Sequence, residues 1–185
     1  GVKAVPFAEV AGHFTPLVGK DITIGQLIET ANEITRLYQS RGYALSFAFI
    51  PAQTFENGVV RVTVVEGYVA QIDIKGNPGS TERKIRQLAE RIRNERPLRR
   101  ATFERSVNAL GLLPGLTVTA TVPAPKTTDG ATTLELNVAR KPLNFSAGID
   151  LHHPGVQGLF TVTENGLASL GEQLSVSALA PKGRD

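Results

Sequence analysis

The stretch that decides the fold is residues 37–77, LYQSRGYALSFAFIPAQTFENGVVRVTVVEGYVAQIDIKGN. It opens on the tail of a helix. Upstream, Ile24, Leu27, Ile28, Ala31, Ile34 and Leu37 recur at three- and four-residue spacing and make one apolar stripe, which predicts a helix over about 24–41. Thr23 followed three residues later by Gln26 is a capping-box start, and Gly42 is a C-terminal stop. At Tyr43 the apolar period drops to two. Tyr43, Leu45, Phe47 and Phe49 alternate with Ala44, Ser46 and Ala48 as far as Pro51, predicting a strand over 43–50. Asn57-Gly58 then marks a turn, and Val60, Val62 and Val64 alternate with Arg61 and Thr63, so the pair reads as a hairpin with one buried face.

Downstream the same order returns with different residues. Tyr68, Ala70, Ile72 and Ile74 alternate with Val69, Gln71 and Asp73 and close on the turn Gly76-Asn77-Pro78-Gly79. Helical spacing resumes at Ile85, Leu88, Ala89 and Ile92, and again after Pro97 at Phe103, Val107 and Leu110. Leu116, Val118, Ala120 and Val122 form a strand, and after a loop rich in Pro, Thr, Asp and Gly its partner follows at Leu134, Leu136 and Val138. Residues 69–140 thus read strand, helix, helix, strand, strand, and residues 1–67 repeat that order with a short helix around 7–14 and an indistinct first strand. The chain starts at Gly1 and holds no Met, which reads as a processed product or a piece of something longer. From Leu143 the texture changes: Phe145, Ala147, Ile149 and Leu151 alternate with Asn144, Ser146, Gly148 and Asp150, and further alternating stretches span 159–165 and 173–180. Such lengths suit strands that cross a bilayer at a tilt, and they suit a soluble antiparallel sheet equally.

Several functional classes fall away. With 185 residues, 41% of them hydrophobic, the chain has room for one sizeable domain or two small ones. It has no Cys, so disulfide frameworks, thiolate catalysis and thiolate metal sites are excluded. No run approaches the roughly 20 apolar residues of a spanning helix, and the start lacks a charged and then apolar leader pattern. A membrane would therefore be reached through strands. Ser146, Asp150, His152 and His153 supply triad residue types, but one alternating strand cannot make them converge, and no Gly-x-Ser-x-Gly elbow exists. His152-His153 has only the distant His13 to complete a metal site. The reading is a non-enzyme with no cofactor and no metal.

The quoted segment carries Gly42-Tyr43, Pro51-Ala52-Gln53, Asn57-Gly58 and Val65-Glu66-Gly67. Residues 96–122, RPLRRATFERSVNALGLLPGLTVTATV, run into Leu113-Pro114-Gly115, and Asp129-Gly130-Ala131-Thr132-Thr133-Leu134 follows. On these residues the chain resembles the POTRA domains of two-partner secretion transporters of Gram-negative outer membranes, the TpsB-type hemolysin and adhesin secretion-activation family. Residues 144–180, with Leu170-Gly171-Glu172-Gln173-Leu174, resemble the first strands of that family's barrel; Leu151-His152-His153 departs from the polar turn the family leads one to expect there. The resemblance implies an α+β fold: two tandem POTRA modules, each β-α-α-β-β with a three-stranded mixed sheet covered by two helices. These occupy residues 1–68, trimmed at the N-terminus, and 69–141, and the first antiparallel strands of a transmembrane β-barrel occupy 142–185.

The resemblance also implies a role. Residues 1–141 stand in the periplasm below a barrel in the outer membrane, bind an unfolded exoprotein (a large adhesin, hemolysin or enzyme), and pass it to the pore without nucleotide or cofactor. Binding is by strand addition at sheet borders, expected at 43–50 (Tyr43, Leu45, Phe47, Phe49) and at 116–122 (Leu116, Val118, Ala120, Val122). For Phe47 and Phe49 the competing reading is that the rings fill the core under the helix and only backbone is offered. Residues 69–141 hold 13 basic and 7 acidic groups. Within them Arg91, Arg93, Arg96, Arg99 and Arg100 read as a steering patch for an acidic client or the barrel rim, or as solvated helix faces interleaved with glutamates. Nucleic acid does not fit, since neither aromatic interleaving nor a reading platform accompanies the charge. Two other functions stay open: an outer-membrane assembly and insertion factor of the same superfamily, and a soluble extracellular adhesion or carbohydrate-binding module whose tail is a small sandwich.

Overall fold

The computed structural model describes residues 2–55, 58–141, 143–150, 157–165 and 173–180. A short helix α1, Phe7–Gly12, and a 3₁₀ turn, Thr15–Leu17, precede the long amphipathic helix α2, Ile24–Ser40. The predicted capping box closes α2: the Gln26 N–H donates to Thr23 Oγ1 at 3.2 Å, and the Thr23 N–H donates to Gln26 Oε1 at 2.9 Å. Gly42 follows the helix at φ 87°, a left-handed conformation open to glycine without strain. One face of α2 (Leu27, Thr30, Ala31, Ile34, Tyr38) is buried. Val5, Val10, Ala31, Ile34, Tyr38, Tyr43 and Ala48 pack as one core cluster, in which each fully buried large side chain contributes about 1.5–3 kcal/mol.

The strand expected over 43–50 is only β1, Phe47–Phe49, and its partner is β2, Thr63–Val65. The helix exit consumes the rest. The Tyr43 N–H donates to Tyr38 O at 2.9 Å and the Ser46 N–H to Tyr43 O at 3.1 Å, so 43–46 is a turn. The strands are antiparallel with Phe47 opposite Val65, Ala48 opposite Val64 and Phe49 opposite Thr63. Two residues on, the ladder meets Pro51, which has no N–H. The Gln53 side chain replaces the missing rung by donating to Arg61 O and accepting the Arg61 N–H, both at 2.8 Å. Gly67, just past β2, lies so close to Leu45 that a Cβ would sit 2.4 Å from the Leu45 carbonyl oxygen.

The expected face of β1 is corrected. Ala48 and not the phenylalanines turns toward α2, because a helix packs this close only over a small side chain; Phe47 and Phe49 point to the other side, half-buried, with ring centroids 6.0 Å apart. They do not fill the core under the helix.

The remaining elements come in the expected order: β3 Tyr68–Gly76, a 3₁₀ turn Gly79–Thr81, α3 Glu82–Arg93, α4 Arg100–Gly111, β4 Leu116–Thr121 and β5 Ala131–Arg140. The strands form a sheet in the order β3-β5-β4, so β4 is a border strand. Ile85, Ala89 and Ile92 make the buried stripe of α3, and Thr132, Leu134, Leu136 and Val138 the buried alternation of β5. β6 Leu143–Asp150, β7 Gln157–Asn165 and β8 Gln173–Ala180 form an antiparallel meander. The turn residues Asn57, Leu151, His152, His153, Leu170, Gly171 and Glu172 lie outside the described residues.

The chain divides into two compact units. One comprises Gly1–Asp73, Glu90–Ser106 and Thr121–Glu135; the other comprises Ile74–Ala89, Val107–Ala120 and Leu136–Asp185. Among the described residues no helix is long and apolar enough to cross a membrane, which says nothing about strands.

Candidate functional site

The feature of interest in the first unit is the border of β1 that faces away from β2. A furrow of about 380 Å³ runs along it, walled by Ile24, Ile28 and Asn32 of α2 and by Phe49, Ile50 and Phe55. Ile24 (57% exposed), Ile28 (49%) and Phe55 (46%) are large apolar side chains open to solvent. Ile24 and Ile28 lie off the buried face of α2, so the core does not need them there. The furrow has room for side chains of an extended segment and not for a folded domain.

The backbone beside the furrow is only partly free. In an antiparallel pair a residue directs its N–H and C=O to the same side, and successive residues alternate. Ala48 turns its pair outward, where Thr35 of α2 meets it: the Ala48 N–H donates to Thr35 Oγ1 at 3.0 Å. The next outward residue is Ile50, whose N–H and C=O have no partner among the described residues.

The predicted client-contacting residues do not act as one row. Tyr43 is in the core, edge-on to the Tyr38 ring at 6.1 Å, and is only 8% exposed. Leu45 is half-buried in the turn, and Phe47 and Phe49 stand on the sheet face away from Ala48. Leu116, Val118, Ala120 and Val122 are all half-buried, alternating with exposed Thr117, Thr119 and Thr121. Thr35 and Phe55 escaped the sequence reading, and Ile24 and Ile28 of the helix stripe and Gln53 of the quoted motif were not read as site residues. Phe55 alone gave a signal, as a large apolar residue in a polar loop.

Tyr38 and Glu66 tie α2 to the chain just after β2 and to residues 3–4. Glu66 Oε1 accepts the Tyr38 hydroxyl at 3.0 Å and the N–H groups of Lys3 and Ala4, both at 2.8 Å. Burial, then the hydrogen bond and charge of Glu66, hold the Tyr38 phenol well above its ordinary pKa.

The five arginines of the expected steering patch are exposed and belong to the first unit. Arg93 pairs with Glu90 at 2.8 Å and Arg99 with Glu95 at 3.9 Å. Arg96 lies 4.2 Å over the Tyr68 ring and Arg99 5.6 Å from the Tyr43 ring centre. Arg91 and Arg100 make no side-chain pair among the described residues.

A larger cleft, about 1020 Å³, opens on the other side of β2, lined by Phe7, Val10, Phe14, Val18, Val60 and Val62. The furrow along β1 differs from this cleft in running beside Ile50, whose backbone groups have no partner among the described residues. Among the described residues no three His, Asp or Glu side chains gather as a metal site.

Helices packed with small sheets, followed by an antiparallel meander, define an α+β fold. Residues 1–67 match the family model described as POTRA domain, ShlB-type. Over 180 residues, 93% of this chain and 31% of the relative, the sequence is 23% identical to the heme/hemopexin transporter protein HuxB of Haemophilus influenzae strain 86-028NP. Over 87 residues, 46% of this chain and 15% of the relative, it is 32% identical to the outer membrane transporter CdiB of Escherichia coli O6:K15:H31 strain 536. The solved structure of CdiB from Escherichia coli superposes with a TM-score of 0.68 at 24% identity, covering 96% of this chain and 33% of that one. HuxB and CdiB are described as transporters, and the chain spans about a third of the length of those it matches nearly throughout.

Proposed function

We propose that this chain is the recognition region of an outer-membrane protein exporter. Residues 1–68 and 69–141 act as two tandem POTRA modules in the periplasm, and 142–185 begin the barrel that an unfolded secreted polypeptide enters. The observation that carries the reading is the outward backbone of Ile50 beside the apolar furrow between α2 and β1. An extended segment laid there gains main-chain hydrogen bonds from the border strand and seats alternate apolar side chains against Ile24, Ile28 and Phe55. Each bond is worth about 0.5–1.5 kcal/mol net, so two to four of them hold a passing chain without trapping it. No nucleotide or cofactor enters, because the grip is backbone on backbone.

The meander supports the barrel part of the reading. Over residues 161–163 its rows separate by chemistry: Thr161 and Ser177 hydroxyls meet at 2.9 Å and Thr163 and Ser175 at 3.0 Å on one face, while Val162 pairs with Val176 on the other, with Glu164 opposite Leu174 ending that apolar row. Val162 (43% exposed), Leu174 (55%) and Val176 (65%) present an uncovered apolar surface. Apolar outside and hydroxyl inside is the pattern lipid demands of a barrel wall.

The test is photocrosslinking in the intact transporter during secretion. Photoreactive residues at Ile28 and Phe55 are expected to capture the secreted polypeptide, with weaker capture at Thr119 on β4. Active secretion with no adduct at Ile28, Phe55 or Thr119 overturns the reading.

A further inference from the structure

A bare strand border pairs with any extended chain, and proteins blunt such borders. On β1 the blunting comes from the neighbouring helix. The Thr35 hydroxyl accepts the Ala48 N–H at 3.0 Å, donates to the Ala31 carbonyl at 3.1 Å, and stands 3.5 Å from the Ala48 carbonyl. Of the three residues of β1 only Ala48 faces outward, since Phe47 and Phe49 point their backbone groups at β2. One side-chain hydroxyl therefore occupies the strand's single outward donor, and Ala31 and Ala48, its two backbone partners, also line the furrow.

We infer that Thr35 is a gate on this border: it holds the Ala48 N–H while the furrow is empty and releases it to an incoming strand. The inference rests on the strand-addition reading above and adds the residue that sets how readily the border opens. Release leaves nothing stranded. When the Ala48 N–H turns to a foreign carbonyl, the Thr35 hydroxyl still donates to Ala31 within its own helix. Threonine in a helix has two side-chain wells, held by bonds to preceding carbonyls, so the hydroxyl can withdraw without unwinding a turn. The exchange replaces one N–H···O bond by another of similar strength, which makes the gate a threshold and not a lock. Entry begins at Ile50, whose backbone has no partner among the described residues and which stands beside the apolar wall, and the Ala48 rung follows. Short or passing contacts stop at Ile50; a segment long enough to reach Ala48 displaces Thr35 and is held.

Thr35→Val keeps the shape and removes the hydroxyl, whereas Thr35→Ser keeps it. Two measurements on the whole chain test the gate: amide hydrogen exchange at Ala48, and binding of a fluorescent peptide of alternating valine and threonine. Thr35→Val is expected to speed exchange at Ala48 about tenfold and to tighten peptide binding about 3- to 10-fold, the reach of one hydrogen bond. Thr35→Ser is expected to match the parent in both. Exchange at Leu134 and Leu136 controls for folding; should Thr35→Val lose that protection, Thr35→Ala carries the same test. Unchanged exchange at Ala48 overturns the gate. Faster exchange with unchanged peptide affinity also overturns it and leaves strand addition standing. A peptide that binds none of the proteins sinks the strand-addition reading, and the gate with it.

Discussion

β1 offers three residues of strand and β4 six, and the shorter border is the more elaborately kept. On β1 a helix hydroxyl takes the one outward donor, apolar side chains wall a furrow alongside, and Pro51 ends the ladder two residues on. On β4 no side-chain hydrogen bond reaches the backbone of residues 116–122 among the described residues, and the half-exposed alternation of Leu116, Val118 and Ala120 with Thr117, Thr119 and Thr121 gives water a polar row. The cavity at its start is lined by Gly115, Leu116, Thr117, Lys141, Leu143, Asn165 and Gln173, most of which are polar. Length of free backbone and quality of side-chain contact are therefore divided between the two borders. A client that needs both grip and preference is expected to engage β1 by its apolar side chains and β4 by its main chain.

The largest effect that breaks the comparison is the removal of the core under β1. Ile34 is fully buried on α2 in the core cluster that also holds Ala48 of β1. Ile34→Ala is expected to cost about 2–5 kcal/mol in denaturant unfolding. Exchange at Ala48 should rise with it, while the amides of β4 keep their protection under native conditions. Equal loss of protection at both borders would show that they open as one.

Alkali attacks the same region by another route. The folded chain holds the Tyr38 phenol above its ordinary value of 10.0, through burial first and then through Glu66. The fold prefers the neutral phenol, so this contribution is fully present below about pH 10 and is lost as pH rises beyond it. Unfolding midpoints are expected to fall above pH 10, and Tyr38→Phe, which cannot ionise, to fall less steeply over the same range. Parallel pH profiles for the two proteins would refute the assignment.

A smaller effect sharpens the comparison at the furrow. Ile28 is half exposed and outside the core, so Ile28→Glu is expected to change stability by no more than about 0.5 kcal/mol. Placing a charge on the furrow wall should weaken the valine and threonine peptide about tenfold, because the carboxylate would lose water against an apolar side chain. Thr119→Lys on β4 is the matched control and should leave peptide affinity at β1 unchanged.

Much of this was legible from residue spacing. α2 and its cap follow from the stripe Ile24 to Leu37 and from Thr23 with Gln26, and the order of β3 to β5 follows from changes of period. β1 was misread in length and face for one reason. The alternation Tyr43, Leu45, Phe47, Phe49 continues through a turn, and apolar bulk suggested that the aromatic row packs the core. Close approach of α2 instead selects the small row, and Ala48 is the residue that fits. Thr35 was invisible because its partner lies 13 residues away across a tertiary contact. The arginines were visible as charge, but the Tyr68 ring beneath Arg96 was not, since nothing in the spacing brings residues 68 and 96 together.

The smallest effect concerns that charge, and it separates steering from contact. Arg96 and Arg99 each lie over an aromatic ring, whose negative face attracts the cation weakly at an exposed site. Arg96→Gln with Arg99→Gln is therefore expected to lower stability slightly. If the pair acts only by long-range attraction, the association rate of an acidic peptide of alternating valine and glutamate should fall about 2- to 3-fold at low ionic strength. The difference should vanish near 1 M salt, where screening acts over about 3 Å. Dissociation should not change, because the rungs at Ile50 and Ala48 are untouched. A faster dissociation rate in the double variant would mean that the guanidinium groups hold the bound strand themselves, and the binding surface would then extend from the β1 border to the arginines.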